Sequence, residues 1–223
     1  MPLENCYPLD EQTLKGKFGY GVEELQDISR LLVPYGGLAD INLKPGETVI
    51  ITPATGPFGG AAVKVALAMG ARVIAMGRNT EALKKLSESH SRIETVQITG
   101  DVQAELKSLQ AFGTIDAWLD ISPPVAGNST HFKSCFLALR HSGRVSLMGG
   151  LNGELAIPVK VVVHRDLRIK GKWMYSRQNV LDLIKMVEVG VLKLGGQRVE
   201  KFKLEEWEMA FELGRRFRGM GPR

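Results

Sequence analysis

The chain has 223 residues with a net charge of +5 and an apolar fraction of 44%, long enough to bury about 70% of its unfolded surface in one large domain without a staple. Its two cysteines, Cys6 and Cys135, exclude a disulfide framework and point to a reducing compartment. The basic excess is dispersed except at Arg215, Arg216 and Arg218, and no apolar run of about 18 residues or charged-then-apolar leader stands out, so nucleic acid and membrane are set aside and a soluble, cytoplasmic protein is expected.

Residues 1–21, with Pro2, Pro8, Gly16 and Gly19 and no period, read as an irregular lead-in. Residues 22–203 form the main domain and 204–223 a terminal helix with a basic tail. From Val22 the pattern turns helical, with Leu25, Ile28, Leu31 and Leu32 on one face, and Gly36-Gly37 is expected to stop that helix. Pro45-Gly46 turns the chain into an apolar strand, Thr48-Val49-Ile50-Ile51. A glycine-rich turn at 54–60 follows, then a small-residue helix and a second strand, Arg72-Val73-Ile74-Ala75-Met76.

Further strands are expected at 95–98, 115–120, 144–148 and 167–173, alternating with helices at 80–86, 103–109 and 129–139. The stretches 155–158 and 160–163 read as short extended pieces. Two helices close the chain, with Val180, Ile184 and Val187 forming one stripe and Trp207, Phe211 and Gly214 another. Strands alternating with helices imply an α/β fold, a doubly wound parallel sheet with helices on both faces, because parallel neighbours need a crossover.

The turn at 54–60 reads A-x-G-x-x-G, with Ala54 where the dinucleotide-binding pattern has its first glycine and Gly56 and Gly59 at the second and third. The pattern needs residues without bulk, since a pyrophosphate must approach the backbone and the helix must sit close to the sheet. Thr55, Gly56, Pro57, Phe58 and Gly59 are therefore candidates for the pyrophosphate, facing the helix N-terminus. The alternative is an ordinary strand-to-helix turn. At the end of the second strand, Gly77, Arg78 and Asn79 offer no carboxylate for an adenosine ribose. Arg78, with Asn79, suits a 2′-phosphate, because guanidinium pairs with phosphate in a fixed geometry; a solvated surface arginine is the other reading. This favours NADP(H) over NAD. Ser122, Gly149 and Gly150, at the ends of later strands, are candidates for the ribose and nicotinamide side.

Three segments together resemble the medium-chain dehydrogenase/reductase superfamily, in particular the alcohol dehydrogenase and quinone oxidoreductase group: the run from Leu43 through Ile51, the turn at 54–60, and Ala68-Met69-Gly70-Ala71-Arg72-Val73-Ile74-Ala75. Residues 143–150 and Ile169-Lys170-Gly171 extend the likeness across most of the chain. The likeness is greatest to zinc-independent members of fungal secondary metabolism. It implies NADP(H)-dependent hydride transfer to or from a carbonyl, an alcohol or an activated alkene in a small-molecule substrate. It also implies a homodimer paired through a sheet edge near 161–173, and an N-terminal catalytic domain that would end about where this sequence starts.

Tyr35 stands where zinc-dependent relatives carry a cysteine ligand, and His90, His131, His141 and His164 read as solvated or locally bonded, so no metal is expected. Tyr35 itself is either a proton donor or a packed aromatic. Two alternatives stay open: a non-redox cyclase or isomerase using the same crevice, and a catalytically silent nucleotide-binding protein.

Overall fold

In a computed structural model, residues 6–196 and 199–219 are described, the last four of them by backbone alone. The organising feature is a parallel sheet of six strands: β1 (Thr48–Thr52), β2 (Arg72–Gly77), β3 (Ile93–Gln97), β4 (Ala117–Asp120), β5 (Arg144–Leu147) and β6 (Arg168–Gly171). They run in the order β3-β2-β1-β4-β5-β6. The chain winds outward from β1 to β3, returns to the middle and winds the other way from β4 to β6. The α/β doubly wound expectation holds.

Alternation along each strand shows why both faces are covered. In β1, Val49 and Ile51 enter one apolar cluster and Ile50 the other; in β2, Val73 and Ala75 part from Ile74 and Met76; in β4, Ala117 and Leu119 part from Trp118. Since successive side chains point to opposite faces, a strand buried on both sides must be apolar throughout, and Val49, Ile50 and Ile51 are fully buried. One face is covered by α2 (Asp27–Asp40), α3 (Pro57–Ala68) and α8 (Arg177–Glu188), with Leu83 of α4 (Thr80–Ser89) joining them. The other carries α5 (Val102–Gln110) and α6 (His131–Ala138), whose Phe136 meets Trp118 edge to face at 5.0 Å between ring centroids. Cys135 is buried there as a small apolar group, 3.8 Å from the sulfur of Met76, and burial pushes its thiol pKa up.

Several elements depart from the sequence reading. The helix begun at α1 (Val22–Leu25) and continued as α2 passes through Gly36-Gly37 to Asp40. Those glycines are packing positions: a Cβ on Gly36 would strike the carbonyl of Met174, and one on Gly37 would strike Met148, Leu119 and Ser146. Their lack of side chain lets α2 lie close to its neighbours, which outweighs their poor helix propensity of about 1 kcal/mol each. The supposedly extended 160–163 lies in a helix, α7 (Val159–His164); a run of β-branched residues mimics a strand, but Val162 and Leu167 close the turn by a backbone bond. In the lead-in, a π-helical segment, Gln12–Lys17, seats Leu14 in the core at 1% exposure, and Tyr7, Phe18 and Tyr20 pack against that core at spacings that no helical or strand period reveals. The stripe of α9 (Trp207–Gly219) forms at helical spacing, yet Trp207 and Phe211 stand exposed.

The helical layer over β4 is tied down by a buried carboxylate. Glu105 of α5 is 1% exposed. Its Oε1 accepts from Thr99 N at 2.9 Å, Gly100 N at 3.1 Å and Thr130 Oγ1 at 2.5 Å, and its Oε2 accepts from Ser134 Oγ at 2.8 Å. It joins the loop after β3 to the first turns of α6. Glu105→Ala would strand those buried donors and is expected to lower unfolding free energy by about 3 kcal/mol. Glu105→Gln, which keeps one acceptor oxygen, should cost less than half of that. Urea unfolding of the two variants checks the order, and equal losses would contradict this account.

Candidate functional site

Ligands of such sheets bind beyond the carboxyl ends of the strands, at the point where the winding reverses, and here that point is the seam between β1 and β4. Backbone bonds carry the ladder past the strand ends: Ala54 N donates to Met76 O at 2.8 Å, Ile121 N to Thr52 O at 2.7 Å, Met148 N to Asp120 O at 2.8 Å and Gly150 N to Ser122 O at 3.2 Å. The candidate residues therefore fall into two groups held by neighbouring strands. One comprises the 54–60 turn and the end of β2; the other comprises the ends of β4 and β5.

In the first group Gly56 is the N-cap of α3 and Pro57 its first residue, where a missing N–H costs nothing. The first turn leaves the N–H groups of Phe58 and Gly59 without intrahelical acceptors. A Cβ on Gly59 would run into the carbonyl of Pro53, so this glycine sets how closely α3 approaches β1. Beside Gly56, by contrast, an added Cβ would meet nothing within 4 Å. That open backbone face is what a pyrophosphate needs. Gly77 packs against Thr55, whose Cγ2 would lie 3.1 Å from an added Cβ, so the end of β2 and the turn share one wall. Arg78 follows, exposed, and among the described residues its guanidinium has no hydrogen-bond or ion-pair partner. The Oδ1 of Asn79 is already used, accepting from Ala82 N at 2.9 Å to cap α4.

The second group holds a buried polar network. Asp120, the last residue of β4, is 1% exposed; Ser122 and His131 are 2% and 1% exposed. Ser122 Oγ donates to Asp120 Oδ1 at 2.7 Å, and Thr52 Oγ1, at the end of β1, donates to the same oxygen at 3.1 Å. His131 Nε2 lies 3.2 Å from it, while Nδ1 is 2.6 Å from Ser129 Oγ. Sequence reasoning missed this network. Of the two readings of His131, solvated or locally bonded, the second holds: it opens α6, is buried against Phe132 and bonds Ser129 two residues before it. Asp120 ended an apolar strand and passed as a strand terminus.

Among the described residues, Tyr35 bonds to neither group by its hydroxyl. It is 8% exposed in the core cluster of α2, and burial, with the Asp182 carboxylate of α8 behind it, raises its phenol pKa above the ordinary value. Gly149 and Gly150 do lie at the end of β5 beside the network: a Cβ on Gly149 would stand 2.6 Å from Asp120 Oδ2.

The model of the zinc-binding dehydrogenase family matches residues 57–188, more than half of the chain. The chain belongs to the medium-chain zinc-binding dehydrogenase family. Its sheet and strand-end turn are that family's NAD(P)-binding domain. An L-threonine 3-dehydrogenase from an Anaeromyxobacter species is 28% identical over 195 residues, covering 85% of this chain and 55% of that protein. An alcohol dehydrogenase from a Thermus species superposes with a TM-score of 0.73 at 22% identity, over 89% of this chain and 58% of that one. A quinone oxidoreductase from Thermus thermophilus, solved also as its complex with NADPH, gives a TM-score of 0.61 at 25% identity, over 86% and 57%. The chain thus spans about half the length of the curated relatives it matches.

The family's zinc does not fit the residues present: among the described residues no group of three or more His, Cys, Asp or Glu could hold a metal ion. A dinucleotide does fit, on the open face of Gly56 and the free N–H groups of the first turn of α3. No described helix is long and apolar enough to cross a membrane.

The two glycines of the turn are separable by experiment. Gly59→Ala must displace the turn or the helix and is expected to lower stability by about 1–3 kcal/mol. Gly56→Ala meets no atom and keeps an ordinary backbone, with φ −85°; its stability should stay within about 0.5 kcal/mol of wild type, the small entropic gain and the weaker cap nearly offsetting each other. Denaturant midpoints of the two variants test this, and equal losses would refute the assignment of different roles.

Proposed function

We propose that this protein binds NADP(H) and serves hydride transfer to or from a carbonyl, an alcohol or an activated alkene, without zinc. The observation that carries this reading is the end of β2. The strand closes on Gly77 against Thr55, carries no Asp or Glu for the adenosine ribose, and is followed by an exposed arginine whose guanidinium has no partner among the described residues. A cation without a carboxylate beside the dinucleotide turn fits a 2′-phosphate, and its charge-assisted contact is available only to the phosphorylated cofactor. The quinone oxidoreductase named above, which was solved with NADPH, is in keeping with this choice.

When bound, the dinucleotide supplies the hydride chemistry. The chain's own residues bind and orient it. Phe58 and Gly59 N–H groups at the start of α3 receive the pyrophosphate, aided by the positive end of the helix. Arg78 and the amide of Asn79 take the 2′-phosphate, and the ends of β4 and β5 take the nicotinamide half. The small-molecule substrate would lie over that half, where Gly150, beside which an added Cβ would meet nothing within 4 Å, leaves room for close approach.

Arg78→Ala is expected to weaken NADPH binding about 10- to 150-fold and to leave NADH nearly unchanged, the loss of one charge-assisted bond. Gly56→Val should weaken both cofactors by filling the open face. Fluorescence titration of wild type and both variants measures this. An unchanged NADPH-to-NADH ratio in Arg78→Ala would overturn the phosphate assignment, and a wild type that binds neither nucleotide would turn the reading toward a cofactor-independent enzyme.

Pairing of two copies through the outer edge of the sheet belongs to the same proposal. β6 is largely exposed, with Trp173 84% exposed just beyond it and Val159 and Val163 of α7 exposed nearby. An open edge flanked by apolar side chains is a template for association. Light scattering at micromolar concentration should give the mass of a dimer or larger; a monomer would contradict it.

A further inference from the structure

The first turn of α3, whose N–H groups are offered to the dinucleotide, is gripped by an ion pair on α2. We propose that Arg30, held by Asp27, is a positioning residue for the pyrophosphate: it fixes the direction of the first-turn N–H groups of α3 without itself touching the ligand. The inference rests on the dinucleotide reading above.

Asp27 is 5% exposed. Its Oδ1 accepts from Arg30 Nε at 2.9 Å and lies 2.7 Å from Nη2, so two of the three guanidinium nitrogens meet one carboxylate. The third, Nη1, donates to the carbonyl oxygen of Pro57 at 2.9 Å. That carbonyl and the N–H of Phe58 belong to one peptide group, which is planar. A donor held on the oxygen therefore fixes the plane in which the N–H points, and it polarises the peptide so that the N–H becomes a stronger donor. Phe58 N–H is one of the two first-turn donors without an acceptor inside the helix.

The same carboxylate reaches α3 at a second place. Lys64 Nζ is 3.6 Å from Asp27 Oδ2 and donates to Gly195 O at 2.9 Å. Pro57 and Lys64 are separated by about two turns and so lie on one face of α3. Contacts at both ends of that face set the rotation of the helix about its axis, and this rotation aims the first turn. Apolar packing sets how closely α2 and α3 approach but is non-directional; the polar contacts add the direction. With a carboxylate 2.7 Å away, the Arg30 charge is largely offset at the distance of a phosphate, so its effect runs through the peptide and not through long-range attraction.

Probes that differ in the pyrophosphate test this. Arg30→Met and Arg30→Lys are each expected to weaken NADPH and NADH alike, about 3- to 10-fold, the worth of one hydrogen bond. The NADPH-to-NADH ratio should stay at the wild-type value, and binding of 2′-AMP, which has no pyrophosphate, should not change. Lysine keeps the charge but lacks the fork that spans Asp27 and the Pro57 carbonyl; full dinucleotide binding in Arg30→Lys would show that charge alone suffices and would overturn the proposal. Unchanged dinucleotide binding in Arg30→Met would overturn it too, as would equal weakening of 2′-AMP, the mark of a crevice loosened as a whole. If thermal unfolding without ligand shows that the Arg30 variants do not fold, Lys64→Met carries the test from the second contact: a loss shared by both dinucleotides and absent for 2′-AMP supports the proposal, and no loss overturns it. A wild type that binds neither dinucleotide removes the dinucleotide reading itself, whereas a wild type that binds both with no change in the variants removes this inference alone.

Discussion

The seam between β1 and β4 is the constraint on which the rest depends. A chain that winds outward on one side of β1 and then returns must leave two adjacent strands whose following loops diverge, and the floor of the resulting crevice lacks side-chain cover from either loop. Here the seam is closed by the Thr52 hydroxyl on the Asp120 carboxylate at 3.1 Å, with Trp118 donating to Thr52 from below. Burying a carboxylate without partners costs several kcal/mol. The three donors on Oδ1 offset that cost and in doing so lock β1, β4 and the start of α6 into one arrangement. A hydrophobic pair would close the seam with less penalty, but it would offer nothing to a polar ligand.

α6 is held by a second buried acid. Glu105 grips Thr130 and Ser134, while Asp120 grips His131 between them in sequence. The two carboxylates approach the helix start from different elements, α5 and β4, and both are met by hydroxyl, imidazole or backbone donors and not by lysine or arginine. Such pairs are directional, so they fix orientation as well as distance. The loop from Ser122 to the start of α6 then spans two anchored ends, and its exposed Pro123, Pro124 and Val125 border the crevice without being needed to hold it.

What could be read in the sequence follows from this division. Strands buried on both faces announce themselves as continuous apolar runs, so β1, β2 and β4 were legible, and the turn after β1 was legible from its glycines, of which Gly59 is required by the close approach of α3 to Pro53. Where a residue's role is set by a partner far along the chain, local pattern misleads. Gly36 and Gly37 look like a helix end but are contact points for Met174 and Met148; the valines of α7 look like a strand because their branching says nothing of the turn that Leu167 closes. His131 and Asp120 are eleven residues apart with an irregular loop between them, and no spacing rule joins them. The end of the candidate site that is built from backbone, after β1, was thus legible, whereas the network built from side chains meeting across β1, β4 and α6 was hidden.

The distribution of charge partners separates structure from binding more sharply than burial alone does. Arg140 is engaged by Asp116 at 2.6 Å, Arg144 by Glu47 at 2.5 Å, Arg30 by Asp27 at 2.7 Å, and Arg165 by two carbonyls at the end of α6. Each of these guanidinium groups is placed by the fold and has at least one partner within it. Arg78 is placed just as firmly by its backbone, after a central strand whose last residue is buried against the turn at 54–60, but among the described residues its side chain has no partner. Surface arginines without partners are ordinary on helices and loops, where nothing fixes their direction. At the carboxyl end of an inner strand, beside backbone donors left open by Gly56, an unpaired guanidinium adds positive potential to a crevice that already carries the positive end of α3. The positive end of α3 and the cation beside it thus give that half of the crevice a positive potential, whereas the carboxylate at the end of β4 is buried among its own donors, so the two ends of the seam differ in electrostatic character.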